Sequence, residues 1–216
     1  MKKIYSQKDL SYGDWDAEFD TVIGKVGGKT LLTIVLPISS ILIARLMPKK
    51  DQACVLKEFN KLEKILKNNR EMLLGQGGIW WFFRNMLTDR GSEMSDFYRL
   101  EESMFPIVTP EGNEALWCRT RVFYCDPYSS WQKPHVEEAH TLLRRVLPKG
   151  THFEDLTQRE VNLVCSHINS YSREKLGGAT PFDCAPPGFN AKLIRALGMK
   201  EIDADEVNLK PRLLDR

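Results

Sequence analysis

Residues 17 to 47, AEFDTVIGKVGGKTLLTIVLPISSILIARLM, contain three apolar segments of strand length separated by two turns. The segments cover residues 17–24, 29–36 and 40–47, and they are dominated by branched aliphatic side chains. The intervening KVGG and PISS supply the glycine, proline and serine that favour tight turns. Three short strands joined by tight turns predict an antiparallel β-meander.

Helical periodicity begins directly after the third strand. In residues 51–68 apolar side chains recur every three or four positions, and Asp51 is placed to cap the first turn. WWFFRNMLTD at 80–89 then predicts a fourth strand buried on both faces, and RTRVFYCD at 119–126 predicts a fifth. Residues 92–118 lack a clear period and contain two prolines and a glycine, so we interpret them as an insertion.

The C-terminal half predicts three helices. SSWQKPHVEEAHTLLRRVL at 129–147 has one apolar face; we expect a serine at its cap and Trp131 to pack its start against the sheet. TQRE at 157–160 is a capping-box pattern that opens the next helix, and a last helix is predicted at about 189–198. Strands that alternate with helices after a meander predict an α/β fold, a mixed sheet flanked by helices.

The composition is that of one ordinary globular domain. The chain has 216 residues, 42% of them hydrophobic, and its net charge of +2 indicates no particular class of partner. Pro37 interrupts the longest apolar run, so no membrane span is predicted, and the N-terminus lacks the apolar core of a signal peptide. Five cysteines without metal spacing indicate reduced thiols in a cytoplasm.

Three acidic residues occupy comparable positions in this scheme. Asp20 lies in the first strand, Asp89 ends the fourth, and Glu137 lies in the helix after the fifth. Catalytic groups gather near strand ends in an open sheet, and carboxylates that converge there repel one another unless cations lie between them. Carboxylates hold hard ions such as Mg²⁺, and a pair of such ions supports phosphoryl displacement.

The alternative is that these carboxylates are ordinary solvated surface groups. The chain has 29 aspartates and glutamates, most of which must lie on the surface. Asp16, Glu18 and Asp20 also alternate, which puts all three on one face of the first strand. The residues alone leave open whether Asp16 or Glu18 assists Asp20.

Longer motifs resemble bacterial insertion-sequence transposases of the IS-thirty type, which have a DDE integrase core. WDAEFDTVIGKVGGKTLLTIV resembles the family's first-aspartate strand, and LTDRGSEM resembles its second-aspartate segment. DPYSSWQKPHVEEAHTLLRRVLPKGTHFEDLTQREVNLVCSHINSYSREKLGGATPFD resembles its glutamate-helix signature and the segment that follows. Together these motifs cover most of residues 13–184.

The resemblance implies an RNase H-like, retroviral integrase-like fold with a five-stranded mixed sheet. It implies a two-metal site for Mg²⁺ or Mn²⁺ on Asp20, Asp89 and Glu137, and DNA cleavage and strand transfer at element ends. Water or a DNA 3′-hydroxyl would attack, without a covalent enzyme–DNA intermediate. The expected partners are transposon ends and target DNA, with no membrane partner, and the expected assembly is a homodimer or larger. The expected location is the bacterial cytoplasm, at the nucleoid.

Departures from the family pattern bear on the function. Arg90 and Met94 stand where the family commonly has asparagine and phenylalanine. We expect a leader at 1–12, a catalytic core at 13–186 and a helix with a polar tail at 187–216. The family's N-terminal helix-turn-helix region is expected to be missing. A truncated, non-catalytic remnant that binds DNA or dimerises with a full-length transposase is therefore the alternative, and an RNase H-type nuclease is a third possibility.

Basic residues around the glutamate helix are predicted DNA contacts. Arg144 lies seven residues after Glu137 on the same helix face, where related integrase-type enzymes place a basic residue. A surface arginine or an intrahelical pair with Glu137 is the alternative. Lys133 and His135, near the helix start, are further predicted DNA contacts, although solvated loop residues would give the same pattern.

Overall fold

The structure is a computed structural model. It describes residues 16–68, 83–95, 97–108, 112–115, 118–127 and 129–214. The strands in these ranges are β1 Ala17–Ile23, β2 Thr30–Leu36, β3 Ile41–Met47, β4 Asn85–Thr88, β5 Ile107–Val108, β6 Glu114–Ala115 and β7 Arg121–Tyr124. The α-helices are α1 Gln52–Asn68, α2 Phe97–Glu101, α3 Pro134–Val146, α4 Gln158–Asn169 and α5 Ala191–Ala196.

Five strands form one mixed sheet in the order β3–β2–β1–β4–β7. The first three pair antiparallel, which confirms the predicted meander. β4 pairs parallel with β1 on one side and with β7 on the other. The predicted insertion contains α2 and a separate two-stranded hairpin of β5 and β6. Residues 80–82 of the predicted fourth strand lie outside the described ranges.

Helices α1 and α3 cover opposite faces of the sheet. The Phe19 ring packs edge-on against Phe59 of α1, with centroids 5.5 Å apart. The carboxylate of Glu18, its neighbour on β1, accepts a hydrogen bond from the Val136 N–H of α3. Because successive strand residues point to opposite faces, α1 lies on the Phe19 face and α3 on the Glu18 face. The core is therefore a helix–sheet–helix sandwich around a fully buried β2.

Helix α4 covers the free edge of β3. The Asn169 side chain accepts from the Leu42 N–H at 2.8 Å and donates to the Leu42 carbonyl at 2.8 Å. At the start of the same helix, Gln158 accepts from the Leu46 N–H at 2.7 Å and donates to the Ala44 carbonyl at 3.0 Å. Unpaired backbone groups on an edge strand invite pairing with another chain. Two amide side chains satisfy these groups here.

The start of α3 differs from the prediction. The helix begins at Pro134, Lys133 is its N-cap, and no side chain caps it; Ser130–Gln132 form a separate 3₁₀ turn. Proline favours the first helical position because its φ is already helical and it has no N–H to satisfy. The serine cap was therefore wrong. Trp131 is 65% exposed, so the expectation that it packs against the sheet was also wrong.

Two predicted helix caps are confirmed. The Asp51 carboxylate accepts from the Cys54 N–H at 2.8 Å, which caps the first turn of α1. At the start of α4, Thr157 and Glu160 form the full capping box, each side chain accepting from the other residue's backbone N–H. These local signals fix where α1 and α4 begin.

A buried ion pair fastens the insertion to α1. The fully buried Arg119 donates through Nη1 to Asn60 at 2.6 Å and to Glu63 at 2.9 Å, and through Nε to the Leu100 carbonyl at 2.7 Å. Glu63 also accepts from the Met104 N–H at 3.0 Å. The segment after β4 is thus part of the core rather than a loose loop. Within the described ranges, no helix combines the length and apolar character needed to cross a membrane.

Replacing the fully buried Asn169 with leucine should leave the edge of β3 without its side-chain hydrogen bonds. The substitution leaves the Leu42 N–H and carbonyl buried without partners, and such groups cost about 1–3 kcal/mol each. We expect Asn169→Leu to lower the free energy of unfolding by about 2–4 kcal/mol in urea titrations. Asn208→Ala is the control, since among the described residues that half-buried side chain bonds only the Lys210 N–H; an equal loss in both variants would contradict the proposed edge cover.

Candidate functional site

The parallel register of β1 and β4 sets two aspartates side by side. Ala17 pairs with Met86, and Glu18 pairs with Leu87. Continuing this register by two residues brings Asp20, in the middle of β1, beside Asp89, the first residue beyond β4. Both aspartates were predicted site residues, and the structure brings them together.

One buried ammonium group joins the two aspartates. Lys133 Nζ lies 3.0 Å from Asp20 Oδ2 and 2.9 Å from Asp89 Oδ1. The Lys133 side chain is 0% exposed, whereas those of Asp20 and Asp89 are 22% and 51% exposed. Burial acts to lower the pKa of Lys133, but the charges and hydrogen bonds of the two carboxylates outweigh it and raise that pKa. Lys133 is therefore a charged group held between two acids.

Glu137 lies one helical turn away from this ion pair. Its N–H donates to the Lys133 carbonyl at 3.3 Å, and its side chain is exposed. Among the described residues, no group of three or more acidic, histidine or cysteine side chains is arranged to hold a metal ion. Two of the three predicted ligands converge on a single cationic atom, and that donor set suits a hard divalent ion. The third stands apart from them.

The other two acidic residues at the start of β1, one just before the strand and one within it, have separate partners. Asp16 accepts from the Asn85 N–H at 2.8 Å and so fastens β1 to β4. Glu18, which is 2% exposed, accepts from the Val136 N–H at 2.8 Å in the first turn of α3. Burial raises the pKa of Glu18 to about 7. These carboxylates position the strands and the helix around the aspartate pair.

The segment after Asp89 is anchored to β1 by a buried glutamate. Glu93 Oε1 accepts from the Thr21 hydroxyl at 3.1 Å and lies 2.9 Å from Lys50 Nζ. A side chain at Gly91 would come within 2.5 Å of the Glu93 carboxylate, so glycine permits this approach. Because Thr21 follows Asp20, these contacts fix the position of the Asp89 segment relative to Asp20.

His140 of α3 is linked to Asp20 through Thr33. The Thr33 hydroxyl donates to the Asp20 carbonyl at 3.1 Å and lies 2.8 Å from His140 Nε2. Since a hydroxyl has a single proton, Nε2 must be the donor toward Thr33. Burial lowers the pKa of His140 to about 4; Asp20 opposes this shift, while Lys133 and Arg144 add to it. The ring is therefore neutral at pH 7.

The predicted DNA contacts have different surroundings. Lys133 does not face solvent, because its side chain is buried against the two aspartates. His135 is half-buried, and burial lowers its pKa. Arg144 donates to the Ile23 carbonyl at 2.9 Å, and the intrahelical pair with Glu137 is not among its contacts in the described residues. In the part of the chain that the structure describes, the Arg144 guanidinium thus has no acidic partner.

Sequence reasoning missed several contacts around the aspartates. The alternation of Glu18 and Asp20 places both on one face of β1, so the pattern gives them the same role. They differ because Glu18 accepts a hydrogen bond from the start of α3, a contact that the sequence does not reveal. Glu93 lies in the quoted LTDRGSEM motif, but no local pattern distinguishes a buried glutamate from a solvated one. The burial of Lys133 had no sequence signal, since lysine is rarely fully buried.

The chain is similar to curated integrases and transposases. It is 30% identical over 156 residues to the putative integrase ORF3 of Spiroplasma virus SpV1-R8A2 B, covering 72% of this chain and 41% of that protein. It is 24% identical over 166 residues to the transposase for insertion sequence element IS4351 of Bacteroides fragilis, covering 77% and 43%. A 61-residue stretch, 28% of this chain, is 38% identical to 16% of transposase InsI for insertion sequence element IS30A of Escherichia coli K12. The chain spans less than half of each relative.

A solved structure shows the same fold. In the cryo-electron microscopy structure of a simian T-cell lymphotropic virus intasome with PP2A regulatory subunit B56 gamma, one chain superposes with a TM-score of 0.51 at 13% identity. The match covers 79% of this chain and 54% of that chain. No protein-family model matches the sequence. The five-stranded mixed sheet with flanking helices is thus the predicted RNase H-like fold.

His140 should make the stability of the protein depend on pH. An unfolded histidine takes up a proton near pH 6.5, whereas burial lowers the pKa of folded His140 to about 4. As the pH falls from 6.5 to 4, protonation therefore favours the unfolded chain. Between pH 7 and 4.5, we expect wild type to lose about 2 kcal/mol of stability relative to His140→Asn in urea titrations.

The exposed His152 provides the matched control. His152→Asn should follow the wild-type pH dependence, because the side chain that it removes is exposed and not packed in the interior. A stability difference between wild type and His140→Asn that is constant from pH 7 to 4.5 would refute the assignment.

Proposed function

We propose that this chain, a homologue of the transposases of insertion sequences with the catalytic-core fold of retroviral integrases, is the core of a DDE transposase. It would cleave DNA at element ends and transfer strands, using Mg²⁺ or Mn²⁺, in the bacterial cytoplasm at the nucleoid. The core spans residues 13–186. The observation that supports this most is the adjacency of Asp20 and Asp89, whose oxygens converge on one cationic atom.

Asp20, Asp89 and Glu137 would hold the divalent ions. Asp20 Oδ1 accepts from the Thr21 N–H at 2.6 Å, which orients the carboxylate and leaves Oδ2 directed toward the Asp89 side. Glu137 contributes from an exposed position on the first turn of α3. Bound ions of this kind activate the attacking hydroxyl and stabilise the leaving oxygen in phosphoryl displacement.

DNA would approach along the exposed side of α3. Arg144 lies two turns after Glu137 and has no acidic partner among the described residues, so its charge is available to a phosphate. His135, at the helix start, is the second proposed contact. Lys133 has no part in DNA binding under this proposal, because it is buried. A dimer or higher assembly would bring two element ends together.

A non-catalytic role is the second candidate, and one observation favours it. Lys133 already forms an ion pair with each aspartate, and Glu137 is not gathered to them among the described residues. A core of this kind is stable without a divalent ion. It could bind DNA or pair with a full-length transposase and modulate it.

Removing any proposed ligand should abolish DNA processing. With labelled element-end DNA and Mn²⁺, we expect cleavage or joining by wild type and a loss of at least about 100-fold in Asp89→Asn and Glu137→Gln, as for removal of a catalytic group. Gel analysis of the products at several enzyme concentrations measures the rate. Circular dichroism establishes that each variant is folded.

Glu138→Gln is the matched control for Glu137→Gln. Glu138 is the next residue on the same helix, but it pairs with Arg173 and Lys175 instead of facing the aspartates. It should retain most of the wild-type rate. Equal activity in Glu137→Gln and wild type would exclude a DDE reaction, and wild type without activity or Mn²⁺ binding would favour the modulator.

A further inference from the structure

We propose that Lys133 is a built-in competitor of the divalent ion: its ammonium group occupies the position between Asp20 and Asp89 and must leave it when the ion binds. The inference rests on the proposed metal site. It assigns Lys133 a positioning role that differs from DNA contact. It also adds a regulatory feature to that site, because the lysine sets how tightly the ion is held.

The geometry places ammonium and ion in competition for the same oxygens. Lys133 Nζ lies 3.0 Å from Asp20 Oδ2 and 2.9 Å from Asp89 Oδ1, which are hydrogen-bonding distances. Mg²⁺ binds oxygen at about 2.0–2.1 Å, so an ion shared by these two atoms would draw them closer than the lysine does. The ammonium and the ion cannot both occupy the space between the two oxygens.

Charge leads to the same conclusion. The ammonium group is 0% exposed, so water would screen little of its repulsion of a divalent ion at the same carboxylates. Because the ammonium group and the ion would bind the same two carboxylate oxygens, the lysine side chain must move away when the ion binds.

The position of Lys133 on the backbone links this movement to α3. Lys133 is the N-cap of α3, and the next residue, Pro134, begins the helix. Its carbonyl accepts from the Glu137 N–H at 3.3 Å. A change in the Lys133 side chain therefore occurs one helical turn from the third proposed ligand. The lysine and the third proposed ligand therefore belong to the same turn at the start of α3.

Mn²⁺ titration of wild type and Lys133→Met by calorimetry tests the competition. Methionine keeps the apolar stem and removes the charge. We expect Lys133→Met to bind Mn²⁺ at least about tenfold more tightly, because a hydrogen bond between charged groups contributes at least the free energy of a tenfold change. In EDTA the variant should melt at a lower temperature than wild type, and Mn²⁺ should raise its melting temperature by more.

Lys61→Met is the control for the loss of one positive charge. Lys61 pairs with Glu58 on α1, and Glu58 keeps Arg45 as a second partner. This variant should bind Mn²⁺ as wild type does. Equal or weaker binding by Lys133→Met, or no binding by either protein, overturns the inference.

A second set of variants covers the case in which Lys133→Met does not fold in EDTA. Adding Asp20→Asn and Asp89→Asn removes the two negative charges that would repel each other without the lysine, so the triple variant should fold. A triple variant that also fails to fold overturns the inference. DNA cleavage by wild type tests the transposase function separately. If Lys133→Met binds Mn²⁺ more tightly but wild type does not cleave DNA, the competition between lysine and ion is supported and the proposed reaction is excluded.

Discussion

The parallel pairing of β1 with β4 forces two carboxylates into adjacent positions, and the surrounding structure is arranged around that constraint. Asp20 and Asp89 follow the register of Ala17 with Met86, and neighbouring strands lie close together. Two like charges about 5 Å apart repel by roughly 3 kcal/mol at an effective dielectric constant of about 20. A domain is stabilised by only about 5–15 kcal/mol, so the pair requires a cation. In this structure the cation is Lys133.

Supplying that cation determines how α3 docks on the sheet. The lysine must reach the aspartates from the residue before Pro134, so the start of the helix is pinned at the centre of the sheet. Glu18 accepts the Val136 N–H two residues further on, and His140 meets Thr33 on β2 one turn later. Each contact comes from the same face of α3. The helix bearing the third proposed ligand is thus fixed by polar contacts as well as by its apolar side chains.

Local signals in the sequence were sufficient for the elements but not for the polar interior. The meander, the capping box at Thr157 and the position of Asp89 at a strand end depend on neighbouring residues, and the structure confirms them. The start of α3 was misjudged because two serines outweighed Pro134, although proline is the stronger signal for a first helical position. The burial of Lys133 depends on residues 113 and 44 positions away, and no local pattern contains that information.

The same geometry explains why Glu137 stands apart from the aspartates. Lys133 is the N-cap of α3 and its side chain is buried against the aspartates, whereas the Glu137 side chain in the first turn of the helix is exposed. The ammonium group balances only one of the two carboxylate charges, so the negative charge that remains there repels a third acid. In the proposed metal site, a divalent ion between the aspartates would bring two positive charges and unfilled coordination sites, so it would attract Glu137 and repel the lysine. Under that proposal, the cation between Asp20 and Asp89 decides whether Glu137 joins them.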